Sequence, residues 1–422
     1  MKILNYFGDE SKVYYEKMSN GMDVYVVPNY NQHNYHAELV VKYGSSIKEF
    51  IPIGEDNYIK LPLGVAHFLE HKTFDMEKGD AFAFYSKTGT YINAGTNYFV
   101  TRYYIDGSKH LKKNFDYLLT LIFSPFFKED NINNEKGIIA EEIKMYDDET
   151  DWVLDHEGKS STFYTTVNEK IAGTKETIEE ITVDILNKTY NTFYQPSNMF
   201  IVVSGNVKFK EIIDIINNNE MVNKAISNKK IVYKKEHEPV DVRDEYRLIE
   251  SNIIVPKLSY SYKFDINSLG NDSLMVKLYL NLLFTHLFGD TSKFYEKVSN
   301  EGIAVDFLVD HLTFDNIYAL TIEAESEYAD LFKDEVDKTI NNIDINEEDF
   351  NRIKKIWLSI IIRSLDSKEA IAHSIVEDII KEGMISDQEE LIKKINYNEL
   401  LKLISKLDLS NKSFVLMIPK EK

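Results

Sequence analysis

At 422 residues the chain is too long for a single hydrophobic core, so two domains of roughly 200 residues each are expected. Its 43% hydrophobic and 28% charged residues are ordinary for a soluble globular protein, and no apolar run approaches the ~20 residues that span a bilayer. A formal charge of −20 disfavours nucleic acid and anionic membrane surfaces as partners, and the lack of cysteine leaves histidine and carboxylate as metal donors.

The opening residues 1–10 lack the apolar stretch and small-residue cleavage site of a secretory signal, so the cytoplasm is the expected compartment. Residues 22–28 and 35–44 are rich in β-branched and aromatic side chains and are predicted strands. Pro62-Leu63-Gly64 opens a predicted helix, with Val65, Phe68 and Leu69 apolar, that runs towards Phe74. Gly89 precedes two strands, 91–97 and 99–106. Helices over 110–123, 131–146 and 183–194 follow, the first stopped before Pro125. Residues 198–205 read as a near-continuous apolar strand, followed by a helix around 212–217.

The stretch 228–247 is lysine-rich, then acidic, and contains Pro239, which makes it the linker candidate. It separates an N-terminal domain, 1–227, from a C-terminal domain, 248–422. Beyond it the order recurs: a strand at 258–264, a helix at 274–287, strands at 304–309 and 317–323, and long helices to the end. This parallel suggests a duplicated domain, although the residues do not visibly repeat. Strands interspersed with paired helices indicate an α+β class, each domain an antiparallel sheet with helices on one face.

The segment with chemical content is His67-Phe68-Leu69-Glu70-His71. On a helix, positions i and i+4 share a face, so both imidazoles can reach one zinc at ~2.0–2.1 Å. Glu70 shares that face and can lie beside a metal-bound water rather than on the metal. Zinc then needs a third protein ligand, with its fourth position left open. The order His-x-x-Glu-His inverts the commoner His-Glu-x-x-His and is the inverzincin signature. The bland alternative is two surface histidines that share a helix face by chance, a match expected in roughly a few per cent of such chains. Downstream, Glu135 and Glu142 are two helical turns apart and fall on one face, with Ile138 and Ile139 near it. Glu141 projects about 100° away, towards solvent.

These residues resemble the insulinase/pitrilysin/mitochondrial processing peptidase family, which joins the inverted motif to a distal Glu-x6-Glu helix. The resemblance covers most of the chain. Residues 20–28 are similar to the family's opening strand and Lys42-Tyr43-Gly44-Ser45 to its second. Residues 141–148 and 190–199 are especially similar to the bacterial two-domain, zinc-bearing branch. The resemblance implies a zinc metalloendopeptidase of two homologous domains that form half of a clam-shell chamber, the C-terminal one inactive. It assigns one Zn2+ per chain to His67, His71 and Glu142, the general base to Glu70, and an orienting carboxylate to Glu135. The gap from His71 is slightly shorter than in many relatives, which calls for a trimmed loop. Asn93-Ala94-Gly95-Thr96 is similar to the family's substrate-binding edge strand, although relatives usually carry phenylalanine at the position of Gly95.

The resemblance also implies a partner. Relatives bear an arginine and a tyrosine, seven residues apart, in the half opposite the zinc. In the matching segment 294–304, aligned on Gly302, those positions hold Glu296 and Ile303. A related subunit that lacks the zinc motif and supplies both donors would complete a heterodimer; local substitution by Tyr295 or Lys297 is the alternative. A non-catalytic, peptide-binding subunit of the same fold is the rival reading, although all four motif residues are intact. His286 and His373 are expected to be packed or surface residues. His110, His156, His237 and His311 lack a ligand-spaced partner, and the abundant aromatics are expected to fill cores and strands.

Overall fold

The computed structural model describes residues 1–8, 11–77, 81–225 and 228–420. Residues 9 and 10 of the opening segment, and residue 227, where the N-terminal domain is expected to end, lie outside the described residues. The chain forms two compact units. The first comprises Met1–Ile143, Lys170–Lys235 and Ile360–Leu391, the second Lys144–Glu169, Glu236–Ser359 and Ile392–Lys422.

The first unit is built on a seven-stranded sheet. Its spatial order is Lys2–Phe7, Ser11–Lys17, Asp23–Pro28, Met199–Gly205, Tyr35–Val41, Thr101–Gly107 and Tyr91–Thr96. Tyr35–Val41 and Met199–Gly205 are buried along their whole length, which a sheet achieves only when both faces are covered. On one face Phe68, Leu69, Leu118 and Ile139 pack with Leu39, Tyr103 and Ile201. On the other, helix Lys368–Glu382 sets Ile371, Ile375 and Ile379 against Tyr25, Val40 and Phe200.

The second unit has a five-stranded sheet in the order Tyr246–Ser251, Lys412–Pro419, Lys257–Asp265, Ile317–Glu325 and Asp306–Phe314. Helix Thr150–Thr162 packs Leu154 against Val415 and Met417 of this sheet. Each unit thus takes one helix from the other end of the chain.

The α+β class holds, with two corrections. Helices cover both faces of the first sheet rather than one, because its central strands are buried on both sides and Met199–Gly205 sends apolar side chains to each face. The sheets are mixed rather than wholly antiparallel: Asp23–Pro28 runs parallel to Met199–Gly205, and Tyr246–Ser251 runs parallel to Lys412–Pro419. Parallel neighbours need a long crossover, and here several helices supply it. Taken in chain order from Asp23 and from Tyr246, five strands in each unit are arranged first, fifth, second, fourth, third. In both units only the first–fifth pair is parallel. The expected recurrence is therefore topological, although the residues differ.

The strands Lys2–Phe7 and Ser11–Lys17 and the helices Ala81–Thr88 and Thr150–Thr162 are additional to the expected elements. So is the strand Lys412–Pro419, where only helices are expected. Within 228–247 the backbone is partly built into structure. Val232–Tyr233 pairs with Glu49–Ile51, and Glu238 is buried in the second unit.

Candidate metal centre

The motif lies on helix Val65–Thr73, whose start depends on Gly64. Its φ of 93° is left-handed, and a Cβ there would meet the Ala172 carbonyl oxygen at 2.5 Å. The helix is buried on nearly every side: Phe68 and Leu69 enter the core and leave His67, Glu70 and His71 on the remaining face. Its last turn is tied down by the Thr73 hydroxyl, which donates to the Leu69 carbonyl at 2.8 Å and accepts from the Tyr103 hydroxyl at 3.0 Å. The second contributing helix, Glu129–Asp148, buries Ile132, Glu135, Ile139 and Ile143, a three-and-four spacing that makes one stripe. Glu142 borders that stripe, and Glu141 is exposed as its helical position requires. Ile138, expected to group with Ile139, is instead 58% exposed.

Among the described residues, His67, His71 and Glu142 form a group whose donor atoms all lie within 4.8 Å of one another. Glu142 sits 3.6 Å from His67 Nε2 through one oxygen and 3.4 Å from His71 Nε2 through the other. Zinc–ligand bonds of ~2.0–2.1 Å at tetrahedral angles separate neighbouring donors by about 3.3 Å. Both separations are close to that edge and longer than an ordinary N–H···O hydrogen bond. The other nitrogen of the same imidazole behaves differently, since His71 Nδ1 lies 3.0 Å from Glu135 Oε1, a normal hydrogen bond. A carboxylate on the distal nitrogen sets which tautomer and ring orientation a ligating histidine presents. These residues fit a zinc ion.

The electrostatics agree. Burial, helped by the neighbouring His71, depresses the His67 pKa to about 4, so this ring is neutral and its lone pair available. Burial also acts to lower His71, but the hydrogen bond to Glu135 and the negative charge of Glu135 and Glu142 outweigh it and raise the value to about 10. The field that draws a proton to His71 equally favours a divalent cation. Glu70 is raised by burial, partly offset by the Thr96 hydroxyl, which donates to Oε2 at 2.6 Å. This carboxyl is therefore both held in place and more basic than an exposed one.

Lys72, which sequence reasoning missed, is 1% exposed; its Nζ lies 3.6 Å from Glu135 Oε2 and also pairs with Asp75. It grips the far side of the carboxylate that orients His71. The only signal was its place directly after the motif. Of the predicted substrate strand, Thr96 reaches Glu70, and Asn93 Oδ1 accepts the Ala94 N–H at 2.9 Å. Asn93, Ala94, Gly95 and Thr96 all belong to the sheet-edge strand Tyr91–Thr96. In the second unit Ile303 is 1% exposed, inside the core, and Glu296 faces solvent. The Tyr295 ring packs 5.4 Å from Phe307, and Lys297 Nζ is 2.6 Å from Glu335 Oε1.

Residues 30–175 match the family model described as Insulinase (Peptidase family M16), and residues 180–356 match that of the Peptidase M16 inactive domain. Over 420 residues the chain is 30% identical to YmfH of Bacillus subtilis, an uncharacterized zinc protease, with 96% of each chain covered. It superposes on a crystal structure described as M16-like, from Alicyclobacillus acidocaldarius, with a TM-score of 0.88 at 25% identity, covering 97% of this chain and 99% of that one. The periplasmic protease PqqL of Escherichia coli shares the fold, with a TM-score of 0.75 at 17% identity over 99% of this chain and 48% of that one.

Proposed function

This chain belongs to the insulinase family of M16 zinc proteases, and from that premise we propose that it is an endopeptidase in which His67, His71 and Glu142 hold the metal and Glu70 is the general base. The observation that carries this reading is the pair of 3.4 and 3.6 Å separations between Glu142 and the two imidazoles, which suit a shared ion better than direct hydrogen bonds. Zinc in that position supplies Lewis acidity towards water and towards a peptide carbonyl. Glu70, fixed by Thr96, takes the proton from the attacking water and passes it to the leaving amine. Glu135 accepts from His71 Nδ1 and keeps Nε2 directed at the metal position. The peptide adds as a further strand along Tyr91–Thr96, so backbone pairing tolerates varied sequences. Unfolded peptides, rather than folded domains, are the substrates, because only an extended segment can pair there.

Purified protein should carry stoichiometric zinc and cut unfolded peptides internally. Zinc removal should abolish the activity, and added zinc should restore it. Turnover that survives verified zinc removal would refute the mechanism, and a chain that never binds zinc would favour a structural subunit.

The working form we propose is a heterodimer with a related subunit that lacks the zinc motif and supplies an arginine and a tyrosine to the developing oxyanion. Glu296 is an acceptor, Ile303 is core, Lys297 is paired with Glu335, and the Tyr295 ring packs on Phe307. A missing donor of this kind costs about 10²–10³-fold in kcat, so the chain alone should be slower by that factor than the pair. Native mass spectrometry with peptidase assays on each species tests this, and full activity in a pure homo-oligomer would contradict it.

A further inference from the structure

The edge strand Tyr91–Thr96 has two faces. Ile92 and Ala94 pack into the core on the metal side, and Thr96 hydrogen-bonds Glu70 there. On the reverse face the Tyr91 ring lies 6.4 Å from the Tyr104 ring, and Gly95 is the cross-strand partner of Arg102. The Asn97 N–H donates to the Val100 carbonyl, so counting back along the antiparallel pair, Gly95 exchanges its backbone bonds with Arg102. Ala94 and Thr96 therefore turn their peptide groups to the open edge. The Ala94 N–H agrees, being taken by the Asn93 side chain rather than by a strand.

An antiparallel peptide added to this edge bonds to Ala94 and Thr96. Its residue opposite Gly95 then sits in a non-hydrogen-bonded pair, with Cα atoms about 4.5 Å apart and its side chain on the reverse face. Gly95 is not needed there for backbone reasons. It is not among the glycines with positive φ, and a Cβ built on it meets nothing within 4 Å. The space it leaves belongs to a cavity of about 630 Å³, lined among others by Ala94, Gly95, Arg102, Tyr104, Ala370 and His373.

The charges in this cavity are matched internally. Arg102 pairs with Glu38 and donates from Nη2 to His373 Nδ1 at 2.9 Å. Lys368 pairs with Asp106 at 2.7 Å and with Glu369. His36 lies between Asp106 at 3.1 Å and Glu38 at 3.4 Å. A charged side chain entering the cavity would have to compete with these pairs, whereas the flat faces of Arg102, Tyr104 and His373 suit a ring. We infer that Gly95 is a specificity-determining residue: it opens a pocket on the reverse face of the edge strand that takes a bulky aromatic side chain of the bound peptide. This rests on the strand-addition reading of the peptidase site.

The test is binding to zinc-loaded, full-length Glu70→Gln protein, followed by fluorescence anisotropy with extended peptides. The peptides differ at one position, scanned along the sequence, in which phenylalanine replaces alanine, glutamate or lysine. At one position phenylalanine should bind about 10–100-fold tighter than alanine, the range expected for burying an aromatic ring. Gly95→Leu in the same background should bring the phenylalanine-to-alanine affinity ratio at that position down to about one, and Gly95→Ala should lower it in part. Zinc content and melting temperature identify folded variants. Equal binding of all four peptides at every position, or a phenylalanine-to-alanine ratio that Gly95→Leu leaves as high as it is with Gly95, would overturn the inference. Discrimination by the Glu70→Gln protein without any hydrolysis by the zinc-loaded wild type would sink the peptidase reading alone. Hydrolysis without discrimination would sink the pocket alone.

Discussion

Glu70→Gln lowers peptide hydrolysis by about 10²–10⁴-fold, the usual contribution of a general base, while zinc content stays at the wild-type level. The separation of the two readouts is the informative part. Glu70 is not one of the three convergent donors, and its Oε2 is engaged by the Thr96 hydroxyl at 2.6 Å. The amide keeps the shape and can still accept from Thr96, but it cannot take a proton from water. His71→Ala should behave differently, since it removes a donor and frees Glu135 from its 3.0 Å contact, so metal is lost together with activity. Metal analysis beside kcat and KM for an unfolded peptide decides between these outcomes. A Glu70→Gln protein that retains wild-type turnover would remove Glu70 from the mechanism, and one that loses zinc would make it a ligand.

Lys263→Met should destabilise the second unit by about 3–5 kcal/mol, the cost of stranding one member of a buried ion pair. Lys263 and Glu238 side chains are both 0% exposed and 2.7 Å apart. The ammonium also donates to the carbonyls of Thr162 and Asp241, at 3.1 and 2.9 Å. Glu238 in turn accepts the N–H groups of Tyr164 and Thr165. This pair therefore joins strand Lys257–Asp265, the segment after helix Thr150–Thr162, and the chain entering the second unit. Methionine keeps the length of the stem but leaves a carboxylate without its cation. At about 2–4 °C per kcal/mol for a unit of this size, melting should fall by roughly 6–20 °C. The double variant Lys263→Met/Glu238→Gln should recover part of the loss, because the stranded charge is gone. A melting temperature for Lys263→Met equal to wild type would show that the pair contributes nothing net.

The residues that converge at the candidate metal centre were largely legible in the chain because their geometry is local. His67, Glu70 and His71 share a face by helical period alone, and Glu135 and Glu142 do so by the same rule. The inverted motif also named the chemistry, and burial later placed Glu141 in solvent as its angle required. What periodicity cannot state is which distant surfaces meet. That Glu142 sits between both imidazoles, that Lys72 braces Glu135, and that Gly95 opens towards Arg102 and His373 all depend on contacts between segments far apart in sequence. The same limit explains the fold corrections. Apolar strands such as Met199–Gly205 announce that both faces need cover, but not that helix Lys368–Glu382 provides it. Nor does the chain's local pattern reveal that Lys412–Pro419 returns to lie parallel to Tyr246–Ser251. Sequence determined which side chains each element offers on each face. Tertiary structure decided their partners, because burial rewards whichever apolar surfaces fit together, however far apart the chain carries them.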